Sequence, residues 1–296
     1  MPIEFDDTRV DVSHVDDRRG GAGGLAIGGG VGVVGLVVYL IFQLLGGNAS
    51  QLQLPASVPP DQSQQESSAE LSQRCNSPGA LEQYTDCRLI KTFDVADTVW
   101  RDEFDRRGLS YDTPRFAFFT GATQTGCGAA TAQVGPFYCP PDQEIYFELG
   151  FLAQLQQQFG AQGEFAQAYI VAHEFGHHLQ TLLGTERQVR AAQEANPALA
   201  NQYSIAMELQ ADCYAGVWAK LAGQRTTGGI HLTEDNIAEA ENAAQAVGDD
   251  RIQQKVQGRV DPESWTHGSA QQRKQWFDTG YQTGDIDACT TFRSLS

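Results

Sequence analysis

Residues 173–177, His-Glu-Phe-Gly-His, lie in the middle of a segment with a helical pattern of apolar residues. On a helix, His173 and His177 are one turn apart on the same face, so both imidazoles can reach one metal ion. Glu174 lies beside them and can accept a proton from water at that ion. The pattern therefore predicts a zinc site on a helix that begins near Glu164 and ends near Gly184.

A second helix, predicted over residues 199–221, carries a matching pair of carboxylates. Glu208 and Asp212 are one turn apart in an otherwise apolar, alanine-rich sequence, and carboxylates that face a core need a partner. Catalytic zinc usually has three protein ligands and one open position. We therefore predict that Glu208 binds zinc and that Asp212 fixes the tautomer of a zinc-bound histidine. The alternative is that both carboxylates lie on a solvated helix face.

The segment around His267 offers a further polar group. His267 precedes Ser269, whose spacing from Gln272 matches a capping box and predicts the start of a helix. A histidine in such a loop can stabilise an oxyanion, so we predict a catalytic role for His267; a surface histidine is the alternative. Arg273, one turn into that helix, is predicted to support a nearby acidic group.

Two other histidines are weaker candidates. His178 points about 100° around the helix from His177 and cannot share its ion, so a structural role is expected. His231 is the substitute ligand if Glu208 does not bind metal.

The N-terminal part contains a long uncharged segment. No charged residue lies between Arg19 and Asp61, and Leu25–Leu45 is almost wholly apolar or glycine, which meets the length of about 20 residues needed to cross a bilayer. We predict a transmembrane helix over residues 20–45. A cleaved signal peptide is the less favoured alternative.

Charge and composition predict the segments on either side of this span and its orientation in the membrane. Basic residues precede the span, so residues 1–19 are predicted to form a disordered cytoplasmic tail at the cell membrane. Residues 46–74 are predicted to be a flexible linker, and 75–296 an extracytoplasmic domain. Glycines spaced by four in the span suggest homo-oligomerisation. The net charge of -17 argues against nucleic acid as a partner.

All six cysteines follow the apolar segment. An even number on the oxidising side of a membrane suggests disulfides. None forms a Cys-x-x-Cys pair, so a cysteine zinc site is not expected. Sequential pairing is our prediction among 15 connectivities: Cys75 with Cys87, Cys127 with Cys139, and Cys213 with Cys289.

The remaining patterns predict an α+β fold, mostly helical with a small sheet. Residues 78–107 suggest one or two helices, and residues 233–248 another. Residues 115–120 and 144–148 are predicted strands. The second strand alternates polar and apolar residues, so we expect it to be half-exposed, with Glu144–Phe147 as an edge for an extended substrate.

The ordered set of motifs resembles the bacterial neutral zinc metallopeptidases that have one N-terminal membrane anchor. The resemblance covers most of the chain and rests on residues 138–142, 172–178, 208–213, 248–251 and 266–269. It implies a zincin-like domain, a zinc cofactor and action on a peptide or protein substrate.

The spacing of Glu208 and Asp212 is also similar to that of membrane-associated gluzincins such as the CAAX-prenyl proteases. In those enzymes the glutamate binds zinc, and a later histidine near a serine and an arginine assists catalysis. The similarity supports roles for His267 and Arg273. Those relatives have several spans and this chain has one, so their intramembrane chamber is not expected here.

The sequence therefore predicts a membrane-anchored zinc endopeptidase in which Glu174 is the general base. The main alternative is a membrane-tethered binding or regulatory module with a structural zinc. A closed site with a fourth ligand, His231 or His267, would indicate that alternative. An external scaffold without metal is a third, less favoured hypothesis.

Overall fold

The computed structural model describes residues 2–20 and 64–295. They form two compact units. The helical unit comprises Met1–Thr8, Thr92–Thr113 and Phe159–Ser296, and the sheet unit comprises Arg9–Lys91 and Pro114–Gln158. The predicted α+β class, mostly helical with small sheets, is confirmed.

The regular elements are numbered in chain order among the described residues. The helices are α1 (Ser68–Cys75), α2 (Ala80–Gln83), α3 (Thr85–Arg106), α4 (Leu149–Gln154), α5 (Glu164–Leu182), α6 (Thr185–Ala195), α7 (Ala200–Gln224), α8 (Glu234–Ala246), α9 (Asp249–Gln257) and α10 (Ala270–Thr283). The strands are β1 (Glu4–Phe5), β2 (Val15–Arg18), β3 (Arg115–Phe119), β4 (Ala122–Thr125), β5 (Gly128–Thr131), β6 (Phe137–Cys139), β7 (Glu144–Glu148) and β8 (Ile230–His231).

The helical unit is built around α7, which packs against α5 and α10. Glycines permit the contact with α10, since a Cβ on Gly216 or on Gly280 would collide with the backbone of the other helix. The indole of Trp218 on α7 is fully buried and stacks on Phe165 of α5 at 5.9 Å between ring centroids. Apolar packing thus holds α5 and α7 side by side, which matters for the site below.

The helices foreseen from sequence are present. The predicted capping box of α10 forms at Ser269, and α8 also begins at a capping box, formed by Thr233. Helix α5 ends before Gly184, which has a left-handed φ of 75°, as expected for a glycine stop. Residues 78–107 form two helices, α2 and α3. The patterns were sufficient here because caps and helical periodicity are local features of a sequence.

The sheet unit contains a four-stranded sheet in the order β2-β3-β7-β6. Strands β2 and β7 are parallel to β3, and β6 is antiparallel to β7. Both predicted strands are confirmed, but the prediction that Glu144–Phe147 is a half-exposed edge is wrong. Strand β7 is central and buried along its length. The prediction took the two glutamates of this strand as exposed, but both are buried with partners inside the protein: Glu144 pairs with Arg18, and Glu148 caps α4.

Residues 2–20 do not form the predicted disordered tail. In the sheet unit, β2 pairs with β3, and the fully buried Arg19 contacts Asp17 and Asp86 at 2.7 Å each. In the helical unit, β1 pairs with β8. The composition suggested disorder because these residues are mostly polar. Paired charges add here to the burial of Ile3, Val10 and Val12. Both pairings join residues 2–20 to strands of the folded units. The predicted cytoplasmic location of residues 1–19 stays a prediction.

The structure describes part of the predicted linker but almost none of the predicted transmembrane span. The last part of the linker is helical, since α1 begins at a capping box formed by Ser67 and Glu70. Residues 46–63 of the linker and residues 21–45 of the predicted transmembrane helix, with its spaced glycines, lie outside the described residues. Within residues 2–20 and 64–295, no helix is long and apolar enough to span a membrane.

The three disulfides have the predicted sequential pairing. Two of them close short loops in the sheet unit, and the third joins α7 of the helical unit to the C-terminal segment; they are Cys75–Cys87, Cys127–Cys139 and Cys213–Cys289. The described part of the chain has no free cysteine.

Candidate metal centre

The histidine motif and the carboxylate motif meet where α5 and α7 approach most closely. A Cβ on Gly176 would lie 2.8 Å from the Cα of Ala211, so only glycine fits at this contact. Gly176 lies between His173 and His177 on α5, and Ala211 lies between Glu208 and Asp212 on α7. The close approach therefore brings the two polar faces together.

Three predicted ligands form one group. Atoms of His173, His177 and Glu208 that could bind metal all lie within 4.8 Å of one another. The Nε2 of His173 is 3.2 Å from Oε2 of Glu208, and the Nε2 of His177 is 3.5 Å from Oε1. The three side chains are largely buried, so the group can enclose a small cation on one side and leave another side for a ligand.

Hydrogen bonds fix the tautomers of both histidines. The Nδ1 of His173 is 2.9 Å from Oδ1 of Asp212, and the Nδ1 of His177 is 2.9 Å from Oε1 of Gln180. Both partners are acceptors, so each Nδ1 carries a proton that it donates. In the neutral rings the two Nε2 atoms then present lone pairs towards Glu208.

This arrangement fits a metal ion. The Oε2 of Glu208 is buried and has no hydrogen-bond partner among the described residues, although it faces His173. Burial opposes charge on Glu208, but His177, His173 and His267 hold the pKa of Glu208 well below its usual range. Burial likewise opposes charge on His173, but Asp212 and Glu208 raise the pKa of His173 to about 9. Without a metal, a protonated His173 balances the carboxylate of Glu208. With both rings neutral, that carboxylate faces two nitrogen lone pairs, so the group is suited to hold a cation, and a nitrogen-and-oxygen set of this kind is typical of zinc.

Asp212 is the centre of a buried network behind His173. It accepts two bonds from Arg273, from Nε at 2.8 Å and from Nη2 at 2.9 Å. It also accepts the hydroxyl of Tyr169, which receives a bond from Arg273 at 3.2 Å. Burial opposes the charge of Asp212, but Arg273 and His173 lower the pKa of Asp212. Asp212 therefore stays ionised and holds His173 in place, and Arg273 supports it.

Glu174 lies next to His173 on α5 and is 7% exposed. It does not belong to the three-residue ligand group. Glu174 thus lies beside the proposed ligands and not among them.

His267 is held by Asp249. One oxygen of Asp249 accepts the backbone N–H groups of Thr266, His267 and Gly268 at 2.7 to 3.0 Å. The other lies 3.1 Å from Nδ1 of His267, whose side chain is 4% exposed. The loop is thus rigid, and the Nε2 of His267 is the ring atom left for another partner.

The other two histidines lie elsewhere. His231 on β8 has a side chain that is 70% exposed and pairs with Asp6 at 3.0 Å, so it does not replace Glu208. His178 is fully buried, and its Nε2 donates to the carbonyl of Asp112 at 2.7 Å. Burial lowers the pKa of His178 to about 4, consistent with the structural role expected.

Sequence reasoning missed three residues that support the site: Tyr169, Gln180 and Asp249. Tyr169 and Gln180 lie four residues before His173 and three residues after His177, so a helical-spacing search on α5 would have found both. Asp249 is distant in sequence from His267, and only its place within the resembling segment 248–251 could have indicated it.

Two facing helices that carry a pair of histidines and a carboxylate define a candidate single-metal site of the kind found in zinc hydrolases. The chain belongs to the family described as "Putative neutral zinc metallopeptidase", whose model matches residues 4–292. Zinc is accordingly the cofactor. Family membership supports peptidase activity at the level of the family.

Relatives match most of the chain. "Uncharacterized protein YpfJ" of Escherichia coli K12 is 42% identical over 293 residues, which cover 96% of this chain and 97% of that protein. "Uncharacterized protein Rv2575" of Mycobacterium tuberculosis H37Rv is 46% identical over 230 residues, 75% of each chain. No solved structure matches the chain.

Proposed function

We propose that this protein is a zinc-dependent endopeptidase whose metal is held by His173, His177 and Glu208. The observation that carries the proposal is the meeting of two Nε2 lone pairs with the buried carboxylate of Glu208, at 3.2 and 3.5 Å. Three protein ligands leave one position for water or substrate, which is the arrangement of catalytic zinc sites.

The surrounding residues have complementary roles. Zinc, when bound, supplies the Lewis acidity that makes water a nucleophile near neutral pH. The Glu174 carboxylate accepts a proton from the attacking water and passes it to the leaving amine. With Nδ1 donating to Asp249, His267 in its doubly protonated form donates a hydrogen bond from Nε2 to the developing oxyanion. Asp212 and Arg273 act behind the ligands and keep the His173 ring oriented.

The arrangement favours catalysis over a purely structural zinc. A structural site is closed by four protein ligands. In the described parts of the chain, the metal-binding group has three members. His231 and His267 are not members of that group, and His231 pairs instead with Asp6.

The decisive variant is Glu174→Gln. It removes the base but keeps the size of the side chain and leaves the three ligands intact. We expect zinc content to be unchanged and hydrolysis of a quenched-fluorescent peptide library to fall by roughly 10²–10⁴-fold. Full activity of the zinc-loaded variant would refute the proposed role of Glu174.

We also propose that the apolar segment Leu25–Leu45 attaches the protein to a membrane, with the folded units on the oxidising side. Three disulfides favour that side. The pairings of β1 and β2 favour the same side for residues 2–20. Labelling of Ser13→Cys in intact cells with an impermeant maleimide tests this, because Ser13 is exposed. Labelling only after lysis would instead support a single crossing with a cytoplasmic N-terminus.

A further inference from the structure

We infer that the C-terminal segment of the chain positions the metal ligand His177 through two glutamine side chains, Gln180 and Gln210. The inference rests on the metal site proposed above. It adds positioning residues that bind neither the metal nor a substrate, and it gives a role to the residues that follow α10.

The contacts form a continuous chain of hydrogen bonds. Nδ1 of His177 is 2.9 Å from Oε1 of Gln180. Nε2 of Gln180 donates to Oε1 of Gln210 at 3.1 Å and to the carbonyl of Met207 at 2.8 Å. Nε2 of Gln210 donates to the carbonyl of Cys289 at 3.0 Å. The two amide side chains are buried, so water does not readily replace these bonds.

The direction of the chain is fixed by backbone carbonyls, which can only accept. The carbonyl of Cys289 requires the NH₂ group of Gln210, so Oε1 of Gln210 faces Gln180. The carbonyl of Met207 likewise requires the NH₂ group of Gln180, so its Oε1 faces the ring of His177. His177 must therefore be protonated at Nδ1, which leaves Nε2 for the metal. The usual ambiguity of amide orientation does not arise here.

The far end of the chain is anchored to α7. The disulfide of Cys289 with Cys213 ties the C-terminal segment to that helix. Thr291 adds a hydrogen bond to the carbonyl of Ala206 at 2.7 Å. Ala206, Gln210 and Cys213 are four and three residues apart, so they lie along one face of α7. The C-terminal segment thus holds a fixed carbonyl against Gln210.

The consequence is that zinc retention depends on contacts remote from the ion. Loss of a group that orients a metal-bound histidine typically weakens metal binding by 10- to 100-fold. Gln210 reaches the ligand His177 only through Gln180. We therefore expect Gln210→Leu to weaken zinc binding by about 10-fold, at the lower end of that range.

The test measures the rate at which purified zinc-loaded protein releases its metal to a chromogenic chelator. Gln210→Leu is expected to release zinc about 10-fold faster than wild type. Gln253→Leu is the matched control, because Gln253 is an equally buried glutamine that bonds Asp261, Ser264 and Trp265 but no proposed ligand. It should release zinc at the wild-type rate even if it lowers thermal stability.

A spectroscopic readout separates positioning from general destabilisation. The chain has six histidines, so ¹⁵N spectra of the imidazoles are simple enough to assign. In the wild type, the Nδ1 proton of His177 is expected to exchange slowly with solvent. In Gln210→Leu that proton should exchange faster, whereas the proton of His173, held by Asp212, should not change.

The outcomes are distinct. If Gln210→Leu does not fold, Gln210→Glu decides, since it keeps the shape but cannot donate to the carbonyl of Cys289. Wild-type zinc release and wild-type proton exchange in the folded variant would overturn the inference while leaving the proposed function intact. A wild-type protein that takes up no zinc would instead refute the metal site itself, and this inference with it.

Discussion

The buried pair of Asp212 and Arg273 gives the sharpest energetic prediction. Asp212→Asn removes the negative charge that faces the guanidinium of Arg273 at 2.8 and 2.9 Å. Arg273 is 2% exposed, so its positive charge stays buried without this counter-ion. Breaking a buried pair in this way costs about 3–5 kcal/mol. For a protein of this size, that corresponds to a fall of roughly 6–20 °C in melting temperature.

The assay is denaturant unfolding of the metal-free protein, with Asp212→Asn, Arg273→Met and the double variant compared. The double variant removes both charges, so its loss of unfolding free energy should be smaller than the sum of the two single losses. Zinc affinity provides a second readout, and Asp212→Asn should weaken it by about 10- to 100-fold because His173 loses its partner. Additive single effects, or a loss below about 1 kcal/mol for Asp212→Asn, would refute this account of the network.

Three further predictions address other parts of the structure. Asp249→Asn should lower kcat/KM by about 10- to 100-fold with zinc content unchanged, because it disturbs the proposed oxyanion donor His267; a matching loss of zinc would contradict that role. Gly176→Ala should cost about 1–3 kcal/mol and weaken zinc binding, since its Cβ would lie 2.8 Å from Ala211; unchanged affinity would contradict the close contact of α5 and α7. Burial opposes the charge of Asp86, but Arg74 and Arg19 lower its pKa below the ordinary 3.8. Its stabilising effect is therefore complete above about pH 4 and lost as the pH falls further, so the protection of the β2 amides, relative to their intrinsic exchange rates, should fall in acid; wild-type protection in Asp86→Asn at neutral pH would show that the pair of Asp86 and Arg19 does not hold β2.

The proposed metal ligands could be picked out from the sequence because the chemistry of such a site depends on local spacing. The two histidines lie one turn apart on one apolar helix, and the two carboxylates lie one turn apart on another. Few roles other than metal binding explain both spacings. We predicted that the two helices meet because a metal site needs ligands from both. The structure shows what allows them to meet, which is the contact of Gly176 with Ala211.

The parts that could not be predicted depend on contacts between distant segments. Strand β7 looked like an edge because its partner β6, only three residues long, gives little strand signal. Residues 2–20 looked disordered because Arg19 is stabilised by Asp86, far along the chain. The link from His177 to Cys289 is invisible for the same reason, since glutamine carries no charge or periodicity that would mark it.

The most direct test of the account is the zinc content of the purified protein, prepared without chelator, beside Glu208→Gln and His177→Ala. The account predicts one zinc per chain in the wild type and, after dialysis, a large loss in both variants, because each removes one of three ligands. A well-folded wild type without zinc, or a Glu208→Gln variant that retains zinc as firmly as the wild type, would contradict it.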